Sequence, residues 1–224
     1  MCFSATASFT AGAALLAIGA VTIPRARSRA ELPYALIPSL FGVQQLIEGA
    51  LWLTLPDGQP HLTVLTHLYS LFSHVLWPIW VPIAVLLLEP VRWRRRVLVG
   101  LATAGGAVGF YLLYFLVTEP IVARVREGHI AYESPHFYVA IVLTLYVLAT
   151  CASSLVSSHR TVRWFGVATG LSLAAASAFY AAWFISVWCF FAAAISGVVL
   201  LHFLSGGVRS PTSPHLGMTA KPGN

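Results

Sequence analysis

Long apolar runs separated by short polar connectors dominate this sequence and limit it to one broad class of structure. Of its 224 residues, 58% are hydrophobic and only 9% are charged, whereas an average soluble domain has about 25% charged residues. A membrane-crossing helix needs about 20 apolar residues, and the runs reach that length. The strands of a membrane β-barrel would instead be alternating segments of about 10 residues. The sequence therefore predicts an all-α, polytopic membrane helix bundle.

Seven transmembrane helices are predicted, in a single transmembrane domain over residues 1–205. They cover approximately residues 5–23, 33–55, 62–88, 97–118, 137–157, 164–184 and 186–204. The Gly-, Pro- and Ser-rich residues 206–224 are predicted to form a disordered cytoplasmic tail. The join at residues 184–186 offers almost no turn. One long helix there would reduce the count to six and move the C-terminus to the other side.

The basic residues indicate how the bundle is oriented. The connectors after predicted helices 1, 3 and 5 hold three, four and two arginines, and the tail adds Arg209 and Lys221. The connectors after helices 2 and 6 hold none. Because basic connectors stay on the cytoplasmic side, the N-terminus is predicted outside and the C-terminus inside. No basic patch interleaved with aromatic residues is present, so the net charge of +6 does not indicate a nucleic-acid partner.

Polar side chains interrupt the second and third predicted helices, where lipid should exclude them. The second helix carries Gln44, Gln45 and Glu48, and the third carries His67 and His74. With a rise of about 1.5 Å per residue, Glu48 lies in the outer half of the membrane, at a depth between those of the two histidines. The short connector makes the two helices neighbours. The sequence therefore predicts a polar cluster between helices 2 and 3.

Helical spacing places these side chains on one face of each helix. The two polar stripes consist of Gln44, Glu48 and Trp52 on the second helix, and of His67, Ser70 and His74 on the third. Pro78 follows His74 by four residues, so it removes the hydrogen bond to the carbonyl of residue 74 and kinks the helix there. We expect the two stripes to face each other.

The cost of burying a carboxyl group separates two interpretations of this cluster. A charged side chain at the centre of a membrane helix costs at least about 2.5–3.5 kcal/mol, so the environment of Glu48 must offset that cost. Glu48 is either a neutral, hydrogen-bonded link between helices or part of a site for a small ligand or metal ion. The predicted ligand-binding residues are Gln44, Gln45, Glu48, Trp52 and Ser70. The predicted metal ligands are Glu48, His67 and His74, with Cys2 as a further candidate, and a divalent metal ion is the possible cofactor.

Two short motifs resemble those of a known family. The chain opens with MCFSATASF, and its second apolar run contains FGVQQLIEG followed by LW. Both resemble a bacterial family of multi-pass membrane proteins of unknown function. The resemblance implies a location in the inner membrane and marks several motif positions without assigning them roles. These positions are Cys2, Phe3, Ser4, Gln44, Gln45, Glu48 and Trp52.

Three activities are compatible with the pattern. The first is a protein that binds or senses a small ligand, with the lipid bilayer as its environment. The second is a membrane-embedded metal-dependent hydrolase, similar in span count and orientation to the seven-span ceramidase and receptor-like superfamily. This chain departs from that pattern, because its predicted helices lack Asp and the last one has a single His. The third is a proton-coupled transporter, although no inverted repeat is visible. The sequence leans against an enzyme and leaves the oligomeric state open.

Overall fold

The computed structural model of the chain describes residues 4–55, 62–119, 121–126, 128–179 and 184–205. Within these residues the chain forms seven helical segments, and six of them are long and apolar enough to cross a membrane. The segments are α1 Ala5–Arg25, α2 Leu32–Thr54, α3 Val64–Leu88, α4 Arg92–Thr118, α5 Ala140–Val156, α6 Arg160–Phe179 and α7 Phe184–Leu204. The shorter apolar segment is α5. The prediction of an all-α membrane helix bundle is confirmed.

Several of these segments are irregular inside. The helix of α3 begins at Leu62, and both α3 and α5 contain a π-helical turn, at Leu71–Leu76 and Leu148–Ala152. The first segment ends in a 3₁₀ turn, Ile23–Arg25. The remaining breaks divide α2 into Leu32–Ala35 and Ile37–Thr54, and α7 into Phe184–Ile195 and Val198–Leu204. The breaks matter most in α3, because a π turn changes which side chains share a helix face.

Each helix runs antiparallel to the one before it, as short connectors require. Near the start of α4, the Arg95 Nη1 atom donates to the carbonyl of Leu86, near the end of α3, at 3.2 Å. In α6 and α7, the Trp188 Nε1 atom donates to the carbonyl of Thr169 at 3.4 Å. The Thr161 hydroxyl lies 2.7 Å from His202 Nδ1. The last two predicted helices, α6 and α7, are therefore two antiparallel helices and not one long helix.

The helices begin and end a few residues from the predicted boundaries. The fourth begins at Arg92, where the sequence predicted residue 97, because arginine side chains can extend from a helix to the membrane surface. The sixth ends at Phe179, where the sequence predicted residue 184. Apolar residues on both sides of that turn hid it. The predicted tail at residues 206–224 lies outside the described residues.

The alternation gives the bundle two different ends. At one end, here called the basic end, lie the arginines at the end of α1, in the α1–α2 connector and in the first turns of α4 and α6. At the other, here called the hairpin end, two antiparallel strands pair from Val122↔Glu133 to Arg126↔His129. They are β1 Val122–Arg126 and β2 His129–Glu133. Gly128 turns the chain between them with φ +75°, which glycine adopts without strain. The sequence predicted only a polar connector here.

Close packing of α3 against α4 depends on one of two neighbouring glycines, which provides a test of the fold. A Cβ atom at Gly105 would overlap the carbonyl oxygen of Pro78, whereas one at Gly106 would meet nothing within 4 Å. We expect Gly105→Ala to lower the free energy of unfolding by about 1–3 kcal/mol through overpacking. The matched Gly106→Ala should be neutral or stabilising by up to about 1 kcal/mol, because alanine favours the helix. Denaturation in mixed micelles measures both, and equal effects would contradict this packing.

Candidate functional site

A buried carboxylate joins α2 to α7. The side chains of Gln44, Gln45 and Glu48 are fully buried. One oxygen of Glu48, Oε1, accepts a hydrogen bond of 2.8 Å from the Ser186 hydroxyl, and Oε2 accepts one of 3.3 Å from Gln45 Nε2. Ser186 lies near the start of α7, 138 residues further along the chain. The hydrogen bonds of Glu48 therefore extend the predicted site beyond helices 2 and 3 to the last helix.

Gln44 connects the same site to α3. Its Oε1 atom accepts a hydrogen bond of 2.7 Å from Trp77 Nε1, and the Trp77 ring stacks on Phe41 with centroids 3.7 Å apart. The thiol of Cys189, on α7, lies beside Gln44, Tyr69 and Glu48. We call the group formed by Gln44, Gln45, Glu48, Tyr69, Ser186 and Cys189 the central polar cluster, and the fully buried Ser70 adjoins it as the residue after Tyr69. Three helices, α2, α3 and α7, contribute to it.

His74 extends this network toward α5. It is buried, its Nδ1 atom lies 2.8 Å from the Ser73 hydroxyl, and its ring packs on Phe137 with centroids 4.8 Å apart. The Tyr146 hydroxyl donates to the carbonyl of Ser73. This carbonyl is available because Ser73 lies in the π turn, where the regular hydrogen-bond ladder is interrupted. His74 is thus held on the side of α3 that faces α5 and the segment before it.

His67 lies elsewhere on α3. It is half-buried and lines a groove between α3 and α4 with Leu68, Leu113 and Val117. The sequence placed His67, Ser70 and His74 on one face, but that spacing holds for a regular α-helix. The π turn begins at Leu71, and its wider turn shifts the face on which the following residues lie. Ser70 is fully buried, while His67 borders the groove.

The remaining predicted residues divide between described and undescribed parts of the chain. Trp52 is half-buried on α2. Cys2 lies outside the described residues, as does Phe3. Among the described residues, no group of three or more His, Cys, Asp or Glu side chains is arranged to hold a metal ion. Glu48, His67 and His74 thus do not form such a group in the described part of the chain.

Several buried polar atoms around the central polar cluster lack hydrogen-bond partners among the described residues. These atoms are Gln44 Nε2, Gln45 Oε1, Trp52 Nε1, Ser70 Oγ and His74 Nε2. All five belong to the two predicted polar stripes or to Gln45 beside them. An unsatisfied polar group in an apolar interior costs roughly 1–3 kcal/mol by mutational measures. Buried polar atoms are normally paired with protein groups or ordered water, so five unpaired ones in these positions call for an explanation.

A narrow cleft lies beside the cluster at the centre of the bundle. Its lining includes Trp77 from α3, Tyr146 and Thr150 from α5, and Trp188 and Cys189 from α7. The cavity volume is about 30 Å³, which is enough for a water molecule. Aromatic walls and few polar groups are typical of small-molecule sites, although most of these are larger. A ligand larger than water therefore requires some movement of the helices.

The β-hairpin covers the cluster at the hairpin end. The ring of Tyr132 on β2 stacks on that of Tyr69 with centroids 4.4 Å apart, and Ile130 is fully buried. Tyr69 is itself a member of the central polar cluster, and it lies two residues before the π turn of α3. The hairpin thus shields one side of the cluster from the exterior.

Sequence reasoning missed the contributions of Ser186, Cys189 and Trp77. Ser186 and Cys189 are isolated small residues in an apolar run, and such residues are common in membrane helices. Their proximity to Glu48 depends on how α7 packs against α2, which no local pattern shows. Trp77 lies one residue before Pro78, and the proline at this position predicts only a kink of the helix backbone. No sequence pattern indicated that its indole reaches Gln44.

Comparison with known proteins gives a family but no activity. The model of a family described as "Family of unknown function (DUF6629)" matches residues 1–214, which is nearly the whole chain. No curated protein and no solved structure matches the chain. The match supports the predicted resemblance to a family of unknown function, and it does not assign a role to the central polar cluster.

Proposed function

Because the chain belongs to DUF6629, a family of unknown function, its activity has to be argued from its own geometry, and we propose that it binds a small polar molecule inside the helix bundle. The binding site is the central polar cluster with the adjoining cleft. The unpaired buried atoms of Gln44, Gln45, Ser70 and His74 are the observation that carries the proposal. A bound molecule that completes these hydrogen bonds offsets their cost.

The chemistry of the cluster limits what the ligand can be. Gln44 offers an amide donor, Gln45 a carbonyl acceptor, and Ser70 a hydroxyl that can do either. The ligand must therefore present both donors and acceptors. The cleft beside it is lined by aromatic rings, which suits an apolar or π-bonded portion. A compact molecule with an amide or hydroxyl group and a small apolar part fits these requirements.

The alternatives receive less support from the same residues. A metal-dependent hydrolase needs three protein ligands around an open position, and the described residues contain no such group. A proton-coupled transporter would use Glu48, which is fully buried. Both of its oxygens accept hydrogen bonds, from Ser186 and Gln45, and these bonds tie the carboxyl group into the packing of α2 against α7. The unpaired atoms therefore support ligand binding more directly than they support either alternative.

The proposal includes a location and an orientation. We infer that the protein resides in a bacterial inner membrane with its basic end toward the cytoplasm, because arginines are retained on that side. The supporting observation is that Arg25, Arg92 and Arg160 lie at the same end of the alternating bundle. Arg29→Cys tests this orientation with a thiol reagent that does not cross the membrane. We expect the new cysteine to react only when the reagent is on the cytoplasmic side, and reaction from the outside would contradict the orientation.

Ser70 provides the sharpest test of ligand binding. Its hydroxyl has no partner among the described residues, and neither has that of Ser154, which is equally buried. Ser154 lies on α5 toward the basic end, away from the cluster. Replacing Ser70 by Ala should lower the retention of a bound small molecule about tenfold, because one hydrogen bond to it is lost. Ser154→Ala makes the same chemical change and should leave the retention unaltered.

The measurement uses the full chain extracted with its surrounding lipids in polymer discs. Small molecules released by denaturation are quantified by mass spectrometry against the amount of protein. We expect one compound in near-stoichiometric amount with the unmodified chain and with Ser154→Ala, and a much smaller amount with Ser70→Ala. Equal retention by all three proteins, or no compound above trace with the unmodified chain, would overturn the proposed function.

A further inference from the structure

A groove at the basic end combines positive charge with an exposed apolar wall. It lies between the end of α5 and the start of α6 and has a volume of about 250 Å³. Its lining consists of Leu155, Arg160, Arg163, Trp164 and Val167. Two arginines therefore stand beside three apolar side chains, and all three of these are exposed. Such a combination suits a molecule that is anionic at one end and apolar at the other.

The guanidinium groups are held in place and keep donors for a ligand. Arg163 Nη1 donates to the carbonyls of Ser157 and Ser158, both at 3.1 Å. These bonds fix the side chain against the α5–α6 connector, and the fork of the guanidinium has five N–H donors in all. Arg160 is exposed at the start of α6. Anchoring one arginine reduces the entropy that a ligand must overcome when it binds.

The charge of the groove is not cancelled by a neighbouring carboxylate in its lining. Glu89, on the α3–α4 connector, approaches the same α5–α6 connector, and its Oε2 atom accepts from the backbone N–H of Ser158 at 2.6 Å. Its Oε1 atom accepts from the N–H of Val91 at 3.1 Å. Glu89 is only 1% exposed. Its carboxylate is thus turned into the protein, and it does not line the groove.

Aromatic residues mark this level of the bundle as a membrane interface. Trp93 and Trp164 are 58% and 56% exposed, and Trp side chains concentrate where the hydrocarbon region meets the headgroups. The Arg94 guanidinium lies 5.1 Å from the centre of the Trp93 ring, and its Nη1 atom donates to the carbonyl of Val156 at 2.8 Å. A third guanidinium thus lies near the end of α5.

We propose that this groove binds the headgroup of an anionic phospholipid. Arg160 and Arg163 contact the phosphate, and an acyl chain lies along Leu155, Trp164 and Val167. Basic pockets between transmembrane helices on the cytoplasmic side are suited to anionic headgroups. The apolar wall selects a lipid over free phosphate, since phosphate alone would leave these side chains uncovered. The site is separate from the central polar cluster, so the proposal does not depend on ligand binding there; it shares with the proposed function the orientation of the basic end toward the cytoplasm.

Competition between two lipids tests the proposal. The full chain in detergent is mixed with equal amounts of phosphatidylglycerol and phosphatidylcholine with the same acyl chains, and native mass spectrometry gives the ratio bound. We expect the unmodified chain to prefer the anionic lipid. Arg160→Gln should reduce this preference about fivefold, because that is the contribution of one arginine near anionic headgroups to lipid binding. Arg160 is exposed, so its replacement leaves the anchoring bonds of Arg163 in place.

Arg29→Gln is the matched control, because it removes the same charge from an exposed position at the same end, outside the groove. It should leave the preference unchanged, and excess inorganic phosphate should leave the bound lipid in place. Three results would overturn the proposal: no preference in the unmodified chain, an equal loss in both variants, or displacement of the lipid by phosphate. An equal loss would show general attraction by the net charge.

Discussion

Replacing Glu48 by leucine is expected to lower the free energy of unfolding by about 3 kcal/mol, measured by denaturation in mixed micelles. Leucine is similar in size to glutamate, so the change removes the acceptors without creating a large cavity. The hydroxyl of Ser186 and the amide of Gln45, which donate to the two carboxyl oxygens, then have no carboxylate to bond. Each buried group left unpaired costs about 1–3 kcal/mol.

A double replacement separates hydrogen bonding from the cost of burying the carboxyl group. In Glu48→Leu with Ser186→Ala, one donor is removed together with its acceptor, so this pair no longer contributes an unsatisfied group. Removing both partners of a buried hydrogen bond can be nearly neutral. We therefore expect the double variant to be more stable than Glu48→Leu alone by about 1 kcal/mol or more. A double variant less stable than Glu48→Leu would show that the Ser186 hydroxyl has another essential partner.

Glu48→Gln is the conservative control for the same position. Its amide keeps the length of the side chain, and its carbonyl oxygen can still accept from Ser186. The loss of stability should therefore be less than half that of Glu48→Leu. A Glu48→Leu variant as stable as the unmodified chain would contradict the network, since apolar replacement of an isolated buried acid is often stabilising.

The polar half of this site could be predicted from the sequence, because a carboxyl group in an apolar run is conspicuous. Glu48 and Gln44 stand out against their neighbours, and a short connector brings α2 next to α3. The contribution of α7 could not be predicted in the same way. Ser186 resembles any other small residue of a membrane helix, and its contact with Glu48 depends on the packing of the whole bundle.

The histidines illustrate a different limit. Their spacing predicted one polar stripe, on the assumption that α3 is a regular helix. Pro78 indicated a distortion, but it did not indicate that the distortion is a π turn that begins at Leu71. One wider turn is enough to separate His67, in the α3–α4 groove, from His74, which packs on Phe137. Local backbone irregularity of this kind is decided by packing, here by the Tyr146 hydroxyl on the carbonyl of Ser73.

The fold itself was more accessible than the site. Hydropathy requires helices in a membrane, because every backbone group must be paired within its own segment. The number of apolar runs and the alternation of basic connectors then predict seven antiparallel helices. What hydropathy cannot supply is the exact boundary between two adjoining apolar helices, such as the end of α6 at Phe179 and the start of α7 at Phe184. It also does not distinguish a polar connector from the paired strands β1 and β2.

A second large effect is expected at the basic end, where Glu89 joins two connectors. No pattern in the sequence singles out this residue, since a glutamate before a proline commonly ends a helix at the membrane surface. In the structure its carboxylate is buried and accepts from the backbone N–H groups of Val91 and Ser158. Hydrogen bonds to a charged group contribute about 1.5–3 kcal/mol each. Glu89→Ala should therefore lower the free energy of unfolding by about 3–5 kcal/mol.

Two further variants make the Glu89 prediction specific. Glu89→Gln retains one acceptor oxygen, so it should lose about half as much stability as Glu89→Ala. Glu133→Ala removes a carboxylate at the hairpin end, where the side chain is 44% exposed and lies 3.5 Å from Arg124 Nε. Exposed ion pairs contribute less than about 1 kcal/mol because water screens them. If Glu89→Ala were no more damaging than Glu133→Ala, the connectors would be held together by other contacts. The anchoring of Arg163 on the carbonyls of Ser157 and Ser158 would then be independent of Glu89.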